Sequence, residues 1–151
     1  MTREIQVETE VDAPPRTVWG VLTDLPAYRE WNPHITDASG DLREGSTVEI
    51  RVRSGRSRSR TMPVTVAAMT PERRLQWVGQ VLSSRLFEGR HTFELEPLDD
   101  DRTRFVNRER LSGLLVPFVV ADDARRGYEA MNRALSERAK RRFESEADSE
   151  L

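Results

Sequence analysis

The chain has 151 residues, 36% hydrophobic and 33% charged, with a formal net charge of -2. That length fits one domain around one core, and the charge balance favours neither nucleic acid nor an acidic membrane surface as a partner. There is no cysteine, which excludes disulfides, thiolate nucleophiles, zinc–thiolate sites and iron–sulfur clusters.

The opening MTREIQVETE has no apolar stretch of the signal-peptide kind. The longest apolar run, 114–121, is interrupted by Pro117 and falls short of the roughly 20 residues of a membrane span. A cytoplasmic protein without stable membrane insertion is expected.

Within residues 4–12, Ile5, Val7, Thr9 and Val11 alternate with Gln6, Glu8, Glu10 and Asp12, the period of a half-buried strand. Ala13-Pro14-Pro15 stops the ladder, and proline suits the first turn of the helix predicted over 15–23. Asp24 is placed to cap a second short helix anchored by Tyr28 and Trp31 and ended by Asn32-Pro33. A meander of strands follows. Val48, Ile50 and Val52 form one inward set, and after the Ser54-Gly55 turn Met62, Val64 and Val66 form the next, with Pro63 marking an edge or a bulge. Leu75 and Trp77 share one face of a short strand. Phe87, Gly89, His91, Phe93 and Leu95 face inward on the next. Asp99 to Asp101 turn the chain into a last strand whose inward face carries Thr103, Phe105, Asn107, Glu109 and Leu111.

Beyond Gly113 and the segment 114–120 the period changes. Ala121, Ala124, Tyr128, Met131, Leu135 and Ala139 recur every three or four residues, giving the apolar stripe of a helix over about 118–144. The acidic tail 146–151 is expected to be disordered, leaving 1–145 as a single domain.

An antiparallel sheet with one apolar face needs a cover, and only the long helix is large enough. The expected fold is therefore α+β, a curved antiparallel sheet wrapped around a C-terminal helix, with two short helices after the first strand. A concave apolar space between sheet and helix is the default ligand site.

Ala13-Pro14 with Val18-Trp19, Leu22, Asp24, Tyr28 and Trp31-Asn32-Pro33 resembles the opening of the START-like, or Bet v 1-like, superfamily, in its bacterial polyketide cyclase/dehydrase-like (SRPBCC) branch. Residues 89–97, then Thr103-Arg104-Phe105, Gly113 and Leu115, resemble its last two strands. The resemblance covers nearly the whole chain and implies a helix-grip fold. It leaves function open, since the superfamily includes lipid carriers, hormone receptors, cyclases and chaperone activators; fold alone does not assign activity.

The polar residues on the apolar face carry the chemistry. Residues whose numbers sum to about 200 lie opposite each other if the last two strands pair around 99–101, which sets His91 against Glu109 and Phe93 against Asn107. His91 reads either as a general acid or base or as a pocket histidine held by a neighbour. Glu109 reads either as its catalytic partner or as a solvated carboxylate at the mouth. The ligand wall is expected to comprise Trp77, Phe87, His91, Phe93, Phe105, Asn107, Glu109, Phe118, Tyr128 and Met131. The arginine-rich stretch 51–60 lacks interleaved aromatics and reads as a solvated hairpin. No phosphate loop, zinc-protease or serine-hydrolase motif is present, so no cofactor and no metal are expected.

Three functions fit: a binding protein for a lipid, polyketide or other hydrophobic molecule; a cyclase or dehydratase using His91 and Glu109; or a protein-interaction module. The protein is expected to be a monomer or a homodimer.

Overall fold

The computed structural model describes residues 1–54, 58–119 and 121–150. β1 (Thr2–Val11) leads into α1 (Pro15–Thr23), a 3₁₀ turn (Leu25–Ala27) and α2 (Tyr28–Trp31). Then come β2 (Ile35–Ser39), β3 (Thr47–Ser54), β4 (Arg58–Thr70), β5 (Arg74–Val81), β6 (Phe87–Asp99) and β7 (Arg102–Ser112), and after a 3₁₀ turn (Val116–Phe118) the long α3 (Ala121–Ser149). The strands form one antiparallel sheet in the order β1-β7-β6-β5-β4-β3-β2. β1 and β2 lie at opposite edges, so the segment carrying α1 and α2 crosses from edge to edge. The sheet curls into a half-barrel around α3, which is the helix-grip fold.

Most of the inward positions expected from the period of two are buried, although Val7, Thr9 and Val52 are half-buried and Gln76, Thr92 and Val106 of the other face are buried too. Ile5, Val11, Val48, Ile50, Val64, Val66, Leu75, Trp77, Phe93, Leu95, Phe105 and Leu111 are buried against Tyr128, Met131, Leu135 and Ala139 of α3. The core falls into two clusters. The larger runs from Val11 to Ala139, and the smaller holds Ile5, Leu111, Val116 and Tyr128. Residues of both line the space between them.

Four local expectations are corrected. The helix begins at Ala121, not 118, because Val119 is extended (φ -82°, ψ 129°) after the separate turn around Pro117. It continues to Ser149, so residues 146–149 of the expected disordered tail are helical; the Ser149 hydroxyl donates to the Ser145 carbonyl. Asp24 makes no side-chain capping bond. β2 was not foreseen, because a register shift between Ile35 and Asp37 spaces its buried residues, Ile35 and Ala38, three apart and hides the period of two. Pro63 lies in an interior strand, opposite Glu49 of β3, and the β4–β5 ladder begins only at Thr65, so the missing N–H leaves no gap in that ladder. The Ser54-Gly55 turn falls outside the described residues.

Candidate functional site

The β6–β7 register pairs His91 with Glu109 and Phe93 with Asn107. On the concave face this brings five polar side chains from three elements together. His91 Nδ1 lies 3.3 Å from Glu109 Oε2, with the side chains only 8% and 17% exposed. The Tyr128 hydroxyl, from α3, donates to the same Glu109 oxygen. His91 Nε2 lies 2.5 Å from Asn107 Oδ1. Asn107 Nδ2 donates to Asn132 Oδ1 at 3.0 Å, and Asn132 Nδ2 donates to the Val7 carbonyl at 3.3 Å and Thr9 Oγ1 at 3.2 Å.

These bonds fix proton positions. A backbone carbonyl can only accept, so Asn132 presents its amide N–H₂ to Val7 and its oxygen to Asn107. Asn107 therefore offers its oxygen to His91, and Nε2 carries a proton. Nδ1 is left facing Glu109 Oε2 across the 3.3 Å contact. The ring is held by stacking on Phe93 at 4.4 Å and by an edge contact with Tyr128 at 5.1 Å.

Beside this cluster lies a cavity of about 580 Å³, within the range of small-molecule sites. Ile50, Val52, Met62, Val64 and Trp77 form its apolar wall, and His91, Glu109 and Tyr128 its polar end. The space depends on missing side chains. Gly79 and Gly89 are cross-strand partners in its wall. A Cβ at Gly89 would stand 2.7 Å from Glu109 Oε1. Phe118, 81% exposed, and the exposed Arg58 and Asp123 also line the space, whereas Trp77 and His91 are buried, so the mouth lies between the β3–β4 end and the start of α3.

The family described as polyketide cyclase/dehydrase and lipid transport matches residues 2–144. The chain belongs to that family. Solved structures agree on the fold. A START superfamily protein from Mycobacterium smegmatis superposes with a TM-score of 0.68 at 18% identity, over 94% of this chain and 97% of that one. The ZhuI aromatase/cyclase from Streptomyces sp. R1128 gives 0.59 at 21% identity, over 98% and 94%. Norcoclaurine synthase from Thalictrum flavum gives 0.68 at 14% identity, over 92% and 94%. No curated protein matches the sequence.

In this member of the polyketide cyclase/dehydrase and lipid transport family, the residues singled out from sequence separate into two groups. Trp77, Phe87, His91, Glu109, Phe118 and Tyr128 line the cavity. Phe93, Phe105, Asn107 and Met131 are fully buried and stand behind it: Phe93 and Phe105 stack at 6.0 Å, and Asn107 holds His91 from the rear. Of the segment 114–119 only Val116 is buried, while Leu114 and Phe118 are exposed. Among the described residues there is no cluster of acidic or histidine side chains suited to a metal. No helix among them is long and apolar enough to cross a membrane.

His34 and Asn132 were not foreseen. His34 lines the cavity and packs edge-on to Tyr128 at 5.1 Å. It fits there because Gly127 has no side chain; a Cβ on Gly127 would lie 2.5 Å from His34 Nδ1. That nitrogen is buried without a partner among the described residues. Burial first, then the nearby His91, lowers the His34 pKa from 6.5 to about 4, so the ring is neutral at neutral pH. Below pH 6.5 the unfolded chain takes up a proton that the folded one refuses. Stability present above pH 6.5 is therefore lost on acidification and fully lost below pH 4, and this residue's share is about 3 kcal/mol. Urea titrations at pH 7 and pH 4.5 should show that drop, and His34→Gln should reduce it. An equal drop in both proteins would contradict the assignment.

Proposed function

We propose that this protein binds a hydrophobic small molecule in the space beneath α3, and that His91, Glu109 and Tyr128 hold a hydroxyl or carbonyl group of that molecule. The observation that carries the reading is the coincidence of a 580 Å³ cavity with apolar walls and a hydrogen-bonded polar cluster at one end. An apolar ligand gains affinity from the walls in proportion to the area it covers. The polar group orients it, because an unmatched cluster in a dry site is costly. A cytoplasmic location belongs to the same proposal.

The test is titration calorimetry with polycyclic phenols and their deoxy analogues. One-to-one binding of the phenols is expected, and His91→Ala should weaken it about tenfold while leaving the deoxy analogues little changed. Failure of every compound to bind would overturn the reading.

One observation favours a second reading, that of a cyclase or dehydratase. His91 and Glu109 face each other 3.3 Å apart at the cavity wall, where Glu109 could take a proton from a carbon beside a carbonyl and His91 return one to oxygen. Holding a flexible substrate in a reactive shape supplies much of the remaining acceleration. Under this reading His91→Ala and Glu109→Gln each abolish turnover while binding persists; under the binding reading no turnover exists to lose.

A further inference from the structure

The cavity has a second polar pole, at its mouth. β4 places Arg58 on the same face as Met62, Val64 and Val66, by the period of two, and Arg58 lines the space while remaining exposed. The other charges on the lining are matched. Glu109 is met by His91 and Tyr128, and Asp123 by Arg126. Burial keeps the His34 ring neutral. Among the described residues Arg58 has no carboxylate in ion-pair reach, and Arg53 stands on the same rim. The two poles are offset along the strands. His91 pairs with Trp77 and Trp77 with Val66, and Arg58 is eight positions before Val66 on β4. At about 3.3 Å per residue that is at most about 26 Å, less the curl of the sheet and the reach of the side chain. Between the poles the wall is Ile50, Val52, Met62 and Val64.

We propose that the ligand is an elongated amphiphile with an anionic head, its carboxylate at Arg58, its apolar body along β3–β5, and its second oxygen function at the His91–Glu109–Tyr128 pole. This rests on the cavity being the binding site. A planar guanidinium pairs with a carboxylate through two parallel N–H donors, and a partly exposed rim lets the head remain in water while the body is buried. A cationic head is excluded at the same rim by like charge.

The experiment measures binding of decanoate, 10-hydroxydecanoate and 1-decanol, all below their aggregation limits, to the wild-type protein and to Arg58→Gln and Arg58→Lys. The wild type should bind decanoate about tenfold more tightly than 1-decanol, and 10-hydroxydecanoate more tightly still. Arg58→Gln should erase the acid–alcohol difference, and Arg58→Lys should restore part of it. Arg58 is exposed, so these variants keep the fold. Equal binding of acid and alcohol by the wild type, or an acid preference untouched in Arg58→Gln, would overturn the anionic assignment and leave the cavity reading standing. Failure of all three compounds to bind would overturn both.

Discussion

Asn107→Ala is expected to lower the unfolding free energy by about 3 kcal/mol. Asn107 is fully buried. Its amide oxygen accepts from His91 Nε2 and its amide nitrogen donates to Asn132 Oδ1. Truncation leaves both partners without a bond in the interior, and each such group costs about 1–3 kcal/mol. Neither can turn elsewhere: Asn132 is committed to Val7 and Thr9, and His91 is clamped between Phe93 and Tyr128. The same change frees the imidazole from the bond that fixes its proton on Nε2, so nitrogen NMR should show a shifted tautomer balance. A loss below about 1 kcal/mol, with the tautomer unchanged, would mean that the chain of amides does not hold the ring.

Gly113→Ala carries the second large effect, also about 3 kcal/mol. Gly113 follows β7 with φ +115°, and a Cβ there would lie 2.5 Å from the Leu86 carbonyl oxygen and 2.9 Å from the Phe87 nitrogen. Both obstacles are backbone, which cannot move aside. The close approach also lets Leu114 N–H reach the Arg85 carbonyl and Leu115 N–H reach the Leu86 carbonyl, so the loop after β5 holds the turn that presents Phe118. A fall in melting temperature of about 10 °C is expected at this chain length. Gly45→Ala is the matched control, since Gly45 also has positive φ (+86°) but nothing within 4 Å of its Cβ. It should cost about 1 kcal/mol. Equal losses in the two variants would show that the contact with Leu86 is unimportant.

Much of the site was legible in the sequence because its geometry is set by one hairpin. A two-residue period and a turn at 99–101 suffice to place His91 opposite Glu109, and the observed register does so. The helix stripe identified Tyr128 and Met131 by the same kind of periodicity. Sequence did not distinguish the cavity wall from the layer behind it. Phe93 and Trp77 share a face and a residue class, yet only Trp77 lines the space, because the opening depends on where side chains are missing across strands, at Gly79 and Gly89. Asn132 was hidden because a polar residue beside the stripe looks solvated until β1 is known to pass over it. The signal for His34 was present in Asn32-Pro33-His34, whose Asn32 side chain accepts from the His34 and Ile35 amides, but its meaning required Gly127 on a helix about ninety residues later.

The central claim is that the space beneath α3 takes a hydrophobic ligand. Titration with 1-anilinonaphthalene-8-sulfonate, an anionic aromatic dye, tests it most directly when done on the wild type and on Met62→Trp, which places an indole in the cavity wall. The wild type should bind one dye per chain with a strong rise in fluorescence. Met62→Trp, at an unchanged melting temperature, should lose that binding at least tenfold. Undiminished one-to-one binding in the filled variant would contradict the account and put the ligand elsewhere.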